Sequence, residues 1–507
     1  MSRQERLYEV LGGPAFQAPA LQESVGTLEA PETDVPPLSL AEAEELRERF
    51  WRDPEGVLEE TRALWDETLT QEQLARALEE AVSYLRTAGE AADVLESTAV
   101  LFEAANALPP SFTFALRDDP ALADPSDVPL QPGQHRFETI GDAAGWVVFS
   151  LPFLIKSAGA SKVAYPRNKG TLGREGFVYP LASAGEDRPA RVGLFSDFGT
   201  AQYQSHYIAK QFRRDVRGHL GLPPLDAAVH LGDVYYAGRY SEVDAGFRQP
   251  LSKVLQQGTP IYFLAGNHEM YSLGAPFWKY VQEQKAANGR PLQDGFHFCL
   301  RPEDPECRYQ IVGGDTAYFK GGRLQDALQK EWLAEVLRYG RERNMTNILL
   351  TSDEPFSHGD SDTTDLLKKD LWDVADMVDL WFWGNTHYCA LFAPSAQAPF
   401  VGSCIGHAGY PYSRKPKPKQ TLGNAPAFLE TATRFPEWTG VRKDRGNNGF
   451  CELELHRNGD VKLTYVDWLG CTRCVAQVNW GGGAKASITL PVDVREEGER
   501  TAPTKKP

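Results

Sequence analysis

Five short apolar runs, each closed by a cluster of oxygen and nitrogen donors, constrain this chain more than any other feature. The runs are Arg191–Ser196, Ala227–Leu231, Pro260–Leu264, Asn347–Ser352 and Val378–Trp383. Their length and aliphatic content predict buried strands, because each is too short for an ordinary helix. They end in Asp197-Phe198-Gly199, Gly232-Asp233-Val234-Tyr235-Tyr236, Gly266-Asn267-His268-Glu269, Ser352-Asp353-Glu354-Pro355 and Gly384-Asn385-Thr386-His387. Asp, Tyr, Asn and His are donors for hard or borderline metal ions. An open α/β sheet builds its site at the carboxyl ends of its strands, so the pattern predicts one metal centre assembled from these ends.

The order Asp-x-Gly, Gly-Asp-x-x-Tyr, Gly-Asn-His-Glu, strand-end His, Gly-His-x-His resembles the purple acid phosphatase branch of the calcineurin-like metallophosphoesterases. The first three motifs stand as written, whereas Asp353 occupies the strand-end His position and Asn385 the first His of the last motif. The resemblance covers roughly residues 190 to 470, including Asn448–Leu455 and Val461–Trp468, which look like the family's closing strands. It implies an α/β fold, a four-layer α/β/β/α metallophosphoesterase sandwich, here preceded by an N-terminal all-helical domain in place of the β-sandwich of some purple phosphatases.

Residue by residue, the resemblance implies a first metal position formed by Asp197, Asp233, Tyr236 and His387, with Asp233 bridging to a second. That second position takes Asp233, Asn267, Asp353 and Asn385. Two readings of Asp353 and Asn385 stay open, swapped ligands or lost ones. A tyrosine donor implies iron or manganese at the first position. An oxygen-only second position favours manganese, magnesium or calcium over zinc. The chain therefore binds one or two metal ions on this reading.

Two ions about 3.5–4 Å apart activate a hydroxide near neutral pH and neutralise the phosphoryl oxygens during in-line displacement. The implied function is metal-dependent hydrolysis of a phosphomonoester or phosphodiester. Alternatives are a degenerate binding or regulatory protein and a single-iron enzyme with non-hydrolytic chemistry. His268 is the candidate general acid or phosphate donor. Glu269 is the candidate that orients His268 or a ligand. His358 and His407 are candidate substrate contacts or replacement ligands, with a structural histidine as the alternative for His407.

Other motifs carry less. Asp-Phe-Gly also binds metal in protein kinases, but no His-Arg-Asp loop precedes it. Cys471-Thr-Arg-Cys474 lacks a second pair at zinc spacing and reads as a local disulfide or two unpaired thiols. Gly481–Ser487 has a phosphate loop's composition without its frame and reads as a turn.

The net charge of −16 disfavours long nucleic acid as a partner while leaving small phosphorylated substrates compatible, since bound metals supply local positive charge. No apolar run is long enough for a membrane span, and the N-terminus has no apolar signal region, so the expected location is cytoplasmic. Seven cysteines do not form a secreted disulfide framework.

The expected units are an extended arm over 1–38, a helical domain and connector over 39–135, a docking segment over 136–189, the phosphoesterase domain over 190–475 and an extension over 476–507. From Leu40 to Ala107, the apolar residues Leu46, Phe50, Leu58, Trp65, Leu69, Leu74, Leu78, Val82, Leu85, Val94 and Leu101 fall mostly at three- and four-residue steps or their sums among Glu, Arg and Gln, which predicts a helical bundle. It serves as a packing module or binds a protein partner. Leu324–Leu337 predicts an amphipathic helix before the fourth strand, and Lys415–Lys419 a basic loop.

Overall fold

The computed structural model describes residues 38–64, 70–94, 142–156, 162–165, 176–286, 288–319, 322–324, 326–356, 363–412, 426–432, 445–468, 470–481 and 484–489. The arm, most of the connector, His358 and Lys415–Lys419 lie outside them.

The predicted apolar runs are strands, displaced by at most two residues at either end. They are β2 (Ala190–Phe195), β3 (Ala227–His230), β4 (Ile261–Phe263), β7 (Thr346–Thr351) and β8 (Leu380–Trp383). A seven-stranded sheet runs β15-β14-β13-β12-β2-β3-β4, with β2, β3 and β4 parallel. Its closing strands are β12 (Gly449–Leu455), β13 (Val461–Asp467), β14 (Thr472–Gly481) and β15 (Ala484–Thr489). The eight-stranded sheet runs β1-β5-β6-β7-β8-β10-β9-β11. Besides β7 and β8 it holds β1 (Val178–Leu181), β5 (Phe298–Pro302), β6 (Tyr309–Gly314), β9 (Cys389–Phe392), β10 (Val401–Ile405) and β11 (Phe428–Leu429).

The two sheets face each other across one apolar core, in which Val192, Leu194 and Val229 meet Ile311, Leu349 and Trp381. Strands covered on both faces read as continuous apolar runs rather than alternating ones, which is why they were visible in the sequence. On the outer face of the second sheet lies α11 (Ala327–Glu342), burying Trp332, Leu333, Val336 and Leu337. It starts three residues after the predicted Leu324, because the Asp326 carboxylate caps it by accepting from the Leu328 amide at 3.0 Å. On the outer face of the first sheet lie α5 (Tyr203–Phe212), α6 (Arg214–His219), α7 (Tyr240–Val243), α8 (Gln249–Gln256), α9 (Asn267–Tyr271) and α10 (Ala275–Glu283). Ile208, Phe212, Leu251, Val254, Phe277 and Tyr280 fill that second core. The layers are thus α/β/β/α.

Before the sheets come α1 (Leu40–Arg52), α2 (Pro54–Leu64) and α3 (Gln71–Val94). A capping box starts α1: Ser39 Oγ accepts from the Glu42 amide at 3.3 Å, and the Glu42 carboxylate accepts from the Ser39 amide at 2.8 Å. Of the apolar residues singled out by their spacing, Trp65, Leu69 and Leu101 lie outside the described residues, Leu85 is half-buried, and Leu46, Phe50, Leu58, Leu74, Leu78 and Val82 are buried. They pack on α4, which runs through Asp142–Gly145, a π-turn at Trp146–Ser150 and Leu151–Lys156. Phe149 stacks on Tyr236 at 5.3 Å and 14°, and the Ser150 hydroxyl donates to the Tyr236 carbonyl at 2.8 Å.

The expected unit boundaries shift. β1 pairs in parallel with β5, so the sheets begin before residue 190, and β14 and β15 extend them past residue 475. Of the stretch Gly481–Ser487, expected to be a turn, Gly481 pairs with Ala484 and residues 484–487 belong to β15 instead. All seven cysteines are free thiols, so Cys471 and Cys474 form no disulfide.

Candidate metal centre

The loops after β2, β3 and β8 converge because their backbones leave the extended region where the strands stop. Asp197, Asp233 and Asn385 adopt left-handed φ values of 57°, 80° and 58°, a conformation that costs a non-glycine residue energy and clusters at functional sites. The first two loops are tied together: the Asp197 amide donates to the Gly232 carbonyl at 2.9 Å and the Tyr235 amide to the Gly199 carbonyl at 3.0 Å. Glycines allow the close approach. A Cβ on Gly266 would lie 1.9 Å from Asp233 Oδ1, and one on Gly406 would lie 2.9 Å from Asp197 Oδ2.

At the centre stands the hydroxyl of Tyr235. It donates to Asp197 Oδ1 in a short bond, lies 2.7 Å from His387 Nε2 and 3.3 Å from Asp233 Oδ2. His387 Nε2 is also 3.2 Å from Asp197 Oδ1. The motif spacing points to Tyr236, whereas the hydroxyl that lies among Asp197, Asp233 and His387 in this structure is that of Tyr235. The Tyr236 ring turns the other way, stacks on Phe149 and sets its hydroxyl against Gly145, where a Cβ would lie 2.2 Å from the oxygen. Tyr410 was not singled out by the sequence. Its ring lies 4.3 Å from His387 and 4.2 Å from Tyr235, and its amide donates to the Asp197 carbonyl at 2.9 Å. A glycine-rich stretch, Gly406–Gly409, just before it was the available signal.

Residues of the second position are not gathered in the same way. Asn267 points its Nδ2 at the Tyr271 hydroxyl, 3.0 Å away, and leaves Oδ1 buried without a hydrogen-bond partner among the described residues. Asp353 Oδ2 instead accepts from the Thr316 hydroxyl at 2.6 Å, and its Oδ1 faces Gly322, where a Cβ would lie 2.5 Å away. Asn385 donates its amide N–H to Asp197 Oδ2 at 3.1 Å, while its side chain hydrogen-bonds Glu354. Two of the four second-position donors are therefore engaged elsewhere.

His268, buried on α9, holds its Nδ1 2.5 Å from the Tyr236 carbonyl. With Nδ1 as the donor, Nε2 is the proton-accepting nitrogen of the neutral ring. Its faces are flanked by Tyr235 at 4.3 Å and Tyr271 at 5.0 Å, and its amide donates to Asp233 Oδ1 at 3.4 Å. Glu269 does not reach the reacting region. Its Oε2 accepts from the Gly266 amide at 2.9 Å and the Asp233 amide at 3.2 Å, clamping two of the ligand loops. Burial pushes its carboxyl up to about 8 against those bonds. His407 is 3% exposed, and its ring lies over Gly449 and holds Nδ1 3.1 Å from the Ile405 carbonyl. Burial lowers it to about 4, which keeps it neutral.

The donor chemistry fits a cation at the first position. Cis ligands of an octahedral ion with bonds near 2.05 Å are about 2.9 Å apart, and those of a tetrahedral ion about 3.4 Å. The His387–Asp197 and Tyr235–Asp233 separations of 3.2 and 3.3 Å lie in that range, while the Tyr235 bonds to Asp197 and His387 are shorter than such an edge. Among the described residues no three His, Cys, Asp or Glu side chains are by themselves placed to hold an ion, and the tyrosine oxygen is what joins this set. Electrostatics agrees. Burial, then the charges of Asp197 and Glu269, raise the Asp233 carboxyl well above the usual range. Burial opposes ionisation of Asp197 too, but its hydrogen bond and attraction to His387, with the bond from Tyr235, hold it below that range. Burial and the carboxylates of Asp197 and Asp233 raise the Tyr235 hydroxyl well above its ordinary value. A bound cation would relieve this excess of buried negative donors.

Beside Thr316, the buried Asp315 carboxyl is pushed up to about 7 by burial, which outweighs bonds from the Ala317 and Tyr318 amides and the attraction of Lys162. Its unfolded value is about 3.9, so between about pH 4 and pH 7 the folded chain keeps a proton that the unfolded chain releases. The stability it contributes is full at low pH and is lost as pH rises through 7. Asp315→Asn retains the acceptor and cannot ionise. Its melting temperature relative to the wild type is expected to rise from pH 5 to pH 8; a pH-independent difference would contradict the burial argument.

Residues 190–389 match the family model of the calcineurin-like phosphoesterases. Among solved structures, it is similar to a purple acid phosphatase from yellow lupin (Lupinus luteus) seeds, at 17% identity and TM-score 0.39 over 58% of this chain and 53% of that one. The match thus spans about half of the lupin enzyme. A dimetal phosphatase from Danio rerio aligns at 12% identity and TM-score 0.37, over 60% of this chain and 99% of that one. The anchor of the inner membrane complex of Plasmodium aligns at 12% identity and TM-score 0.43, over 62% and 91%. No curated protein matches by sequence. No helix among the described residues is long and apolar enough to cross a membrane.

Proposed function

We propose that this chain is a metal-dependent phosphoesterase of the purple-acid-phosphatase-like type, hydrolysing a small phosphomonoester or phosphodiester. The observation that carries the reading is the convergence of the Asp197, Asp233 and His387 side chains on the buried Tyr235 hydroxyl. These residues would hold iron or manganese at the first position. The ion would supply Lewis-acid polarisation of the phosphoryl group and an activated water near neutral pH. The chain does the rest. Glu269 fixes the Asp233 and Gly266 backbones, and the Tyr236 carbonyl orients His268 so that its Nε2, once it has taken up a proton to form the imidazolium, donates that proton to the leaving oxygen. Tyr410 packs on the His387 ring and limits its rotation.

One observation favours a second reading with a single ion. Asp353 is held by Thr316 and Asn385 by Glu354, which leaves Asn267 Oδ1 as the orphaned second-position donor. Elemental mass spectrometry on the purified protein, run beside hydrolysis of aryl phosphate mono- and diesters, tests both. The expected result is at least one tightly held iron or manganese per chain and hydrolysis lost on chelation. Two ions per chain would remove the single-ion reading, and hydrolysis unaffected by complete metal removal would overturn the metalloenzyme itself.

A further inference from the structure

Helix α4 of the helical unit meets the loop after β3 at Tyr236 and holds it in three ways. Gly145 leaves room for its hydroxyl, Phe149 stacks on its ring, and the Ser150 hydroxyl donates to its carbonyl at 2.8 Å. Across Trp146–Ser150 the helix widens, with the Leu151 amide donating to the Trp146 carbonyl, a departure that often marks functional sites. A helical serine can turn its hydroxyl back to a carbonyl one turn earlier, whereas that of Ser150 leaves its own helix. The rest of the unit braces α4. Tyr84 of α3 meets Phe149 edge to face at 6.1 Å and 71°, and the Leu38 amide donates to the Val148 carbonyl at 2.9 Å.

The peptide group between Tyr236 and Ala237 is thereby fixed at both ends. On its N–H side the Ala237 amide donates to Glu242 Oε2 at 2.9 Å, and the preceding Tyr236 amide donates to Oε1 of the same carboxylate at 2.7 Å. On its other side the Tyr236 oxygen accepts twice, from Ser150 and from His268 Nδ1 at 2.5 Å. A carbonyl oxygen has two lone pairs, so both are taken. Ser150, Glu242 and His268 are all buried. Without the Ser150 bond, the carbonyl keeps its bond to His268 but can turn about the Glu242 anchor, and the imidazole turns with it. A small misplacement of a reacting group is enough to slow a step that depends on alignment.

We infer that Ser150 is a positioning residue for His268, acting through the Tyr236 carbonyl, and that the helical unit thereby completes the site from outside the two sheets. This role rests on the hydrolytic reading above, in which His268 protonates the leaving oxygen. The unit then governs which esters are cleaved well. Those whose leaving oxygen departs only with a proton need His268 in place, and those with a stable leaving anion do not.

The test is a double-variant kinetic cycle on the metal-loaded full chain, with Ser150→Ala, His268→Asn and the two combined. The substrates are a phenyl and a para-nitrophenyl ester of phosphate, of whichever class, mono- or diester, the wild type hydrolyses. Ser150→Ala is expected to lower kcat on the phenyl ester by about tenfold, with KM within about twofold, and to leave the para-nitrophenyl ester nearly unchanged. In the His268→Asn background it should cost nothing further, because a residue that acts only through His268 has no effect once that ring is gone. The same fractional loss in both backgrounds, or on both esters, would make Ser150 a packing residue and overturn its role. Wild-type kinetics in Ser150→Ala would overturn it as well. Ser150→Cys keeps the volume with only a weak donor, and it replaces Ser150→Ala in the cycle if that variant melts below the assay temperature. A wild type that cleaves neither ester with metal bound would overturn the hydrolytic reading and this role with it, a failure distinct from an additive cycle on an active enzyme.

Discussion

Asp233→Asn is expected to lower kcat/KM for a phosphate ester by about 10³-fold or more while raising the melting temperature of the metal-free protein. The substitution preserves shape and one acceptor oxygen but removes a charge from the point where the loop after β3 meets the start of α9. A metal that stabilises transition-state charge is worth several kcal/mol, and a factor of 10³ corresponds to about 4 kcal/mol. The stability effect has the opposite sign. Burial, Asp197 and Glu269 raise the Asp233 carboxyl well above the usual range, so at neutral pH its ionised form is disfavoured in the metal-free fold. An amide relieves that cost. Steady-state kinetics and thermal melts in chelator measure the two halves. Retained hydrolysis would remove Asp233 from the site, and a fall in metal-free stability would contradict the account of the site as an excess of buried negative charge.

Tyr235→Phe and Tyr236→Phe are expected to separate cleanly. Tyr235→Phe removes the oxygen shared by Asp197, Asp233 and His387, and should weaken metal binding about 100-fold or more, beyond the upper end of losses typical of supporting residues. If iron is bound, any tyrosinate absorption in the visible disappears with it. Tyr236→Phe alters a hydroxyl packed against Gly145 of the helical unit and should leave metal affinity within about twofold. Metal titrations with each variant decide the point. The reverse result would mean that the spacing of the Gly-Asp-x-x-Tyr motif identifies the ligand and that the arrangement at Phe149 does not.

These two tyrosines also show where sequence reasoning stops. The spacing of the motif selects the residue three after Asp233, but the backbone leaves Asp233 at a φ of 80°, and a helical segment far earlier in the chain captures Tyr236. Gly145 makes room for its hydroxyl, Phe149 stacks on its ring and Ser150 binds its carbonyl. No local signal records that competition. The same holds for Asp353 and Asn385, whose side chains are taken by Thr316 and Glu354, and for Tyr410, which reaches His387 from a loop after β10.

What the sequence by itself determined was the five strands that end in donor loops, and the placing of those donors where the strands stop. Strands buried on both faces require uninterrupted apolar runs, and donors can stand only where those runs stop. The helical unit was legible for a similar reason, because an amphipathic helix must repeat its apolar residues at three- and four-residue steps. Tertiary structure alone decided which donors meet. Side-chain direction at a loop depends on backbone angles and on packing partners remote in the chain, and those partners turned Tyr235 inward, Tyr236 outward, and His407 into the core.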